Sequence, residues 1–406
     1  MNLQIKPILS ALRRHKAGTI LIALQIALTL AIVCNALFIV HQRIERSNRT
    51  TGMDESNVIA VQNRYVGKPD TFIPLMQTDL AAIRNVPGVE SAYITNAFPL
   101  RRGGWSTGMQ IDPNKTKDSL PSALYFVDDQ ALKTLGVKLI AGRNFTPSEV
   151  VNLQPQSTPA PAQVIITKAI ADKLFPKGDA LGKTIYYAKN KPSTVIGIIE
   201  KLTVPWIEFD HMDNVTLMPV RFDSSYQHFM VRTRPGQQDA VFKAIPTALY
   251  KVSRMRVLPE KYGLRTFETV RANAYEADRG MAILMTVVCA VLLAITAAGI
   301  VGLSSFWVGQ RRKQIGVRRA LGARRSDILS YFMTENFLIA LGGVIVGTGL
   351  ALGLSQWMLK YFEMPRVSPT YVGVGIVLLL VLGQAAVFAP ALRASKVSPV
   401  EATRSV

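Results

Sequence analysis

Cysteine is almost absent from this chain: there are two among 406 residues, Cys34 and Cys289, each inside a long apolar run. The segment between those runs therefore has neither a disulfide framework nor a thiolate metal site, and its own core must hold it. At about 240 residues it is long enough to bury one. Histidine is nearly as scarce. His15, His41, His211 and His228 are scattered without His-x-x-x-His spacing, so a metal site would need unrelated segments to converge. No Gly-x-Ser-x-Gly elbow occurs. Acidic pairs such as Asp128-Asp129 and Glu208-x-Asp210 fit helix caps and solvated turns better than catalytic dyads. These absences argue against an enzyme, and no catalytic, cofactor-binding or metal-binding residue is assigned.

A phosphate-binding loop is missing too. Gly178-Asp179-Ala180-Leu181-Gly182-Lys183-Thr184 comes near the motif, but three residues separate its glycines where four are required. A helical rather than a strand pattern precedes it. The chain is thus expected to hydrolyse no ATP by itself.

What the sequence has in quantity is apolar residues, 49% of the total, and they are clustered. Residues 17–40, 281–308, 328–359 and 371–392 each supply about 20 or more mostly apolar positions, enough to span roughly 30 Å of hydrocarbon. The pattern predicts a membrane α-helical protein with four transmembrane helices and a large α+β domain inserted between the first and second. The third helix is expected to be shorter than its apolar stretch. The first, second and fourth spans contain no ionisable side chain, and the third only Glu335, near one end, where a helix-capping or interfacial role is expected. An ion-driven pump usually needs more than that at mid-membrane.

Charge placement orients the spans. Lys6, Arg13, Arg14 and Lys16 precede the first, seven cations lie between the second and third, and Arg393, Lys396 and Arg404 follow the fourth. The positive-inside rule then puts both termini and residues 309–327 in the cytoplasm, and residues 41–280 and 360–370 outside. The formal net charge of +20 divides accordingly: residues 41–280 carry 31 basic and 23 acidic side chains, the cytoplasmic pieces 14 and 2. The excess is topological, and without an aromatic-interleaved basic stripe no nucleic acid is expected as partner.

The first span has a basic approach but no small-x-small cleavage site after it, so it reads as a retained anchor rather than a signal peptide. Before it, Ile5, Ile8, Leu9 and Leu12 form one helical face, and residues 1–16 are expected to lie along the bilayer surface.

The inserted domain, expected to comprise two subdomains, alternates strand and helix patterns. Strands are predicted at Val58 to Val61, Ser91 to Thr95, Ala123 to Val127, Val137 to Phe145, Val164 to Ile166, Val215 to Met218, Phe229 to Arg232 and near Val257. A hairpin is predicted from Lys183 to Ile199, turning at Lys189 to Pro192. Helices are predicted at Phe72 to Asn85, after Asp129, through Phe175, at Gln237 to Val252 and at Glu260 to Arg279, the last running into the second span. Thr146 to Ala162 reads as a loop.

Two segments stand out. In residues 311–325, Ile315, Val317, Ala320 and Leu321 give the seven cations an apolar backing, with turns expected at Gly316 and Gly322, as in a short helix that receives a partner. In the third span Gly343 and Gly347, then Gly349 and Gly353, have the small-xxx-small spacing that lets helix backbones approach.

Arg312-Lys313-Gln314-Ile315-Gly316-Val317-Arg318-Arg319-Ala320-Leu321-Gly322-Ala323 resembles the cytoplasmic loop of ABC-transporter permeases of the MacB/FtsX type. Pro390 to Ala402 resembles that family's carboxy-terminal signature. Gly136 to Phe145 and Val164 to Thr184, with Leu174-Phe175-Pro176 and Ala180-Leu181-Gly182-Lys183, resemble its periplasmic core domain. Gln314 stands where the family usually has Glu, so an amide replaces a carboxylate there.

The resemblance implies a bacterial inner-membrane permease subunit without a fused ATPase. A partner cytoplasmic ABC ATPase, binding ATP and Mg, would dock on residues 312–323. A second permease chain, the same or paralogous, would complete the unit within the lipid bilayer, and a periplasmic adaptor and outer-membrane channel can extend it. ATP-driven motion would then be relayed to the periplasmic domain by mechanotransmission, moving antimicrobial peptides, drugs, lipids or similar cargo. The alternative is a scaffold that regulates a periplasmic cell-wall hydrolase, though such relatives have much smaller exterior domains. Sensor permeases of the family carry ten spans, which four do not match.

Overall fold

The computed structural model describes residues 16–67, 69–114, 119–187, 191–362 and 366–398. The apolar face of residues 1–15, Lys189 and Asn190 of the turn of the 183–199 hairpin, and Pro399 to Ala402 of the carboxy-terminal signature lie outside the described residues. In chain order the elements begin with α1 (Lys16–Ser47), β1 (Val58–Tyr65), α2 (Ile73–Arg84), β2 (Val89–Thr95), β3 (Trp105–Met109), β4 (Leu120–Phe126), α3 (Ala131–Leu135) and β5 (Leu139–Gly142). A 3-10 turn (Pro147–Glu149) leads to β6 (Val151–Leu153), β7 (Gln163–Thr167), α4 (Lys168–Leu174), β8 (Thr184–Tyr187), β9 (Lys191–Ile199), β10 (Val215–Met218), β11 (Val220–Phe222) and β12 (Tyr226–Thr233). Then come α5 (Gln238–Val252), β13 (Arg256–Val257), β14 (Leu264–Thr266), α6 (Phe267–Ala274), α7 (Glu276–Gln310), α8 (Arg312–Ala320), α9 (Arg325–Phe362) and α10 (Pro369–Ser395).

Two compact units result. One is built from the chain up to Ser47 and from Ala277 onward; the other is Asn48–Glu276. The first holds four helices long and apolar enough to cross a membrane: α1, α7, α9 and α10. Of these α1 is the hub, with Ile22, Ile26, Leu30 and Cys34 buried among residues of α9 and α10. Small residues make that contact close. A Cβ on Gly343 would stand 2.7 Å from the Ala23 carbonyl oxygen, and one on Gly347 2.9 Å from the Ala27 Cα. Polar side chains add cross-links where no water competes. Asn35 Nδ2 donates to the Ala351 carbonyl at 3.2 Å, Asn336 Nδ2 to the Gly383 carbonyl at 3.0 Å, and the Thr29 and Thr296 hydroxyls meet at 2.8 Å.

Helix α9 is continuous over 38 residues and reaches about 57 Å at 1.5 Å per residue, so only part of it fits a hydrocarbon layer of roughly 30 Å. One reading of the third span changes. Among the described residues nothing packs on Gly349 and Gly353, since a Cβ on either would meet nothing within 4 Å. They sit about 120° around α9 from the pair that receives α1.

The inserted unit is α+β. A five-stranded antiparallel sheet has the order β13-β1-β12-β2, with β14 also pairing β1. Helices α2 and α5 bury Met76, Leu80, Ile83, Val241, Ile245 and Leu249 against Ile59, Val61 and Phe229 of this sheet. A seven-stranded mixed sheet follows the order β3-β4-β10-β7-β9-β5, with β8 pairing β9. The largest cluster of buried residues draws on both sheets, joining Val58, Ala60, Tyr93 and Met230 to Tyr125, Ile165, Val215 and Ile199.

Two expectations here are corrected. The Thr146 to Ala162 stretch is not all loop, since β6 lies in it and pairs in parallel with β11. Glu260 to Arg279 is not one helix either. Leu264–Thr266 pairs with β1, Thr266 caps α6, and the buried Tyr275 breaks the helix before α7 starts. Pairing and burial override helix propensity at these positions.

Charged residues tie the unit together from inside. Arg256 donates to both oxygens of Asp79 at 2.8 and 2.7 Å with neither side chain exposed, and the Tyr65 hydroxyl donates to Asp79 at 2.6 Å. This fastens α2 to the strand edge.

Asp79→Ala leaves that guanidinium buried without its partner and is expected to cost about 3–5 kcal/mol, read as a lowered urea midpoint by tryptophan fluorescence. Gly347→Leu is expected to destabilise the helix unit by about 1–3 kcal/mol through overpacking. Gly353→Leu should leave thermal unfolding in detergent unchanged, and equal effects of the two would contradict the packing described.

Candidate docking segment

The segment between the second and third spans folds into α8, whose sides differ sharply. At its start Arg311 is only 9% exposed, and its Nη1 donates to both carboxylate oxygens of Glu335 at 3.0 and 2.9 Å. Glu335 is therefore no helix cap: it is the acceptor that ties the α7–α8 junction to α9. Four positions on, Ile315 is buried with Trp307, Ile328, Phe332, Ala391 and Ala394. Gly316 is buried inside the helix and forms no turn. Arg319 Nη1 donates to the Ser395 carbonyl at 3.0 Å, satisfying one of the carbonyls that the end of α10 leaves open. The Arg318 guanidinium lies over the Tyr331 ring, 5.0 Å from its centroid.

The end of α8 is a Schellman turn. Gly322 takes φ +98°, its N–H bonds the Arg319 carbonyl at 3.2 Å, and the Ala323 N–H bonds the Arg318 carbonyl at 3.1 Å. A left-handed residue is needed there, which explains the glycine of Leu321-Gly322-Ala323. The turn passes into α9, where Asp327 accepts from the Arg324 N–H at 2.9 Å.

The opposite side of α8 is exposed. Gln314, Val317 and Leu321 fall at helical spacing on one stripe; Val317 is 50% and Leu321 83% exposed, with Arg312, Ala320, Gly322, Arg324 and Arg325 also exposed and Ala323 half-buried. The structure thus divides the segment singled out by sequence. Ile315 and Gly316 serve internal packing, while Gln314, Val317, Ala320 and Leu321 present a surface. The Arg311–Glu335 pair escaped the sequence reading, although Glu335 was visible as the only ionisable residue within the apolar spans.

Elsewhere in the helix unit, a groove of about 400 Å³ lies between α1 and α7. Val40, Ile44, Ala282, Ile283 and Val287 line it together with Arg43 and Asp278, which form an ion pair.

Glu335→Ala strands a buried guanidinium and is expected to lower stability by about 3–5 kcal/mol. Arg311→Met combined with Glu335→Leu should recover most of that loss in a thermal melt of the full chain. A wild-type melt for Glu335→Ala alone would show that the pair holds nothing.

Residues 19–248 match the MacB-like periplasmic core domain and residues 286–399 the FtsX-like permease C-terminal domain. The macrolide export ATP-binding/permease protein MacB of Neisseria gonorrhoeae is 28% identical over 323 residues, covering 77% of this chain and 47% of that protein. The chain spans about half the length of the MacB relatives it matches. The uncharacterized ABC transporter permease YvrN of Bacillus subtilis is 25% identical over 302 residues, covering 69% of each chain. The crystal structure of the periplasmic region of MacB from Actinobacillus actinomycetemcomitans aligns at a TM-score of 0.33 and 16% identity, over 56% of this chain and 97% of that one. With one profile covering the first span and most of the inserted unit, and the other the remaining spans and α8, the chain belongs to the MacB/FtsX-type family of ABC-transporter permeases.

Proposed function

We propose that this chain is a non-catalytic, multi-pass permease subunit of the bacterial inner membrane, worked by a cytoplasmic ABC ATPase that docks on α8. The exposed apolar stripe of Val317 and Leu321, set among arginines on a helix braced from behind, carries the reading. A solvated charge run has no reason to present Leu321 at 83% exposure. An apolar socket with an acidic rim on the partner complements it. Arg318, Arg319, Arg324 and Arg325 keep this segment on the cytoplasmic side by the positive-inside rule, along with both termini.

Two permease chains and two ATPases form the working unit in this reading. ATP and Mg bind the partner, and closure of the ATPase pair pushes α8. The push reaches α9 through the Arg311–Glu335 bond and α10 through Arg319, and from there α1, which packs on both. The inserted domain then works on cargo outside, and the amphipathic groove between α1 and α7 suits an amphiphile such as a lipid, peptide or drug. A periplasmic adaptor and an outer-membrane channel can extend the path.

Leu321→Asp removes the most exposed apolar contact without touching the internal face of α8. The purified variant should insert normally, yet bind the partner ATPase about 30-fold more weakly, the size of a 2 kcal/mol hot spot, and fail to stimulate ATP hydrolysis. Wild-type binding and stimulation would remove the docking assignment.

A further inference from the structure

The five-stranded sheet carries a second concentration of positive charge, independent of the docking segment. Arg265 on β14 pairs with Ala60 on β1, Gln62 on β1 pairs with His228 on β12, and Tyr226 lies two residues before His228. Paired residues point to the same side of a sheet, so Arg265, Gln62, His228 and Tyr226 share one face. Arg101 reaches the same face from the β2–β3 connection, its Nη2 3.4 Å from the Tyr226 hydroxyl and its Cζ 5.6 Å from the ring centroid. Arg265 stacks similarly on Tyr262, at 5.2 Å.

Three features of this cluster stand out. Among the described residues neither Arg101 nor Arg265 forms an ion pair; burial, and repulsion from Arg101, hold Arg265 below the usual arginine range. His228 is fully buried between Phe98 and Tyr226, yet neither of its ring nitrogens has a hydrogen-bond partner. The loop that delivers Arg101 is strained on both sides, with Leu100 at φ +65° and Arg102 at φ +67°. Such strain costs about 1–3 kcal/mol per residue and gathers where a side chain is held for a ligand. Arg101 itself is braced by bonds from Nη1 to the Gly103 and Asn96 carbonyls, at 2.8 and 3.2 Å, which keep its Nη2 edge toward Tyr226.

We propose that this face is a receptor for a phosphate group, held between the Arg101 and Arg265 guanidinia with the Tyr226 hydroxyl as a further donor. Two guanidinia from different elements, with a hydroxyl beside one of them, suit a tetrahedral oxyanion with several acceptor oxygens; one bidentate arginine already satisfies a carboxylate. Tyr226 and Tyr262, 38% and 42% exposed, leave the site open to solvent. The phosphate comes from a lipid headgroup or from a soluble phosphate ester.

The test is isothermal titration of the full chain in uncharged detergent with inorganic phosphate, acetate and short-chain phosphatidic acid. Saturable phosphate binding is expected, with affinity lowered about tenfold or more in Arg265→Gln, the size of one charge-assisted hydrogen bond. Among the described residues the Arg265 side chain makes no hydrogen bond, so this variant keeps the fold, while Arg234→Gln, at an exposed position elsewhere, should bind as wild type. Tighter binding of phosphatidic acid than of inorganic phosphate assigns the site to a lipid headgroup, and equal binding assigns it to a soluble ester. Absence of saturable phosphate binding, acetate binding as strong as phosphate, or unchanged affinity in Arg265→Gln overturns the proposal.

Discussion

A folded domain inserted between two consecutive membrane helices must receive and return the chain at neighbouring points, and the rest of this structure depends on how that is secured. Within the inserted unit, Glu55 on the incoming segment accepts hydrogen bonds from Arg271 on α6, the last helix before the chain leaves. Within the helix unit, Arg43 near the end of α1 pairs with Asp278 at the start of α7. Each unit thus closes its own side of the junction with an arginine and a carboxylate more than 200 positions apart in sequence. Partial burial makes these bonds stronger than exposed pairs, which contribute little.

The helix unit shows the same economy of polar contacts. In hydrocarbon, apolar surface brings helices together no better than it brings lipid, so close packing and a few hydrogen bonds must do so. Gly343 and Gly347 supply the first and Asn35, Asn336 and the Thr29–Thr296 pair the second. At the end where α8 attaches, Arg311, Ile315 and Arg319 bind it to α9 and α10. A force applied to the exposed side of α8 would meet a helix bonded to the bundle rather than a loose loop.

Much of the fold was legible in advance because its signals are local. Apolar runs of about 20 residues and alternating strand patterns each act over a few neighbours. The errors lie where distant segments decide. Leu264–Thr266 becomes a strand only because β1 offers an edge, and Val151–Leu153 only because β11 does. The role of Glu335 could not be read from its place near the end of an apolar run, since its partner is 24 positions away.

The sequence by itself determined the number of spans, the presence of the large insertion, and the basic apolar-backed segment that marks the family, because composition and short-range periodicity govern all three. Only the tertiary structure decided which residues of that segment face inward. Ile315 and Val317 have similar side chains two positions apart, and helical geometry sends one into the bundle and leaves the other bare. The same holds for the glycines of α9 and for the arginines around His228. Their chemistry is written in the chain, but whether a neighbour stands opposite is a property of packing, set by residues far away in sequence.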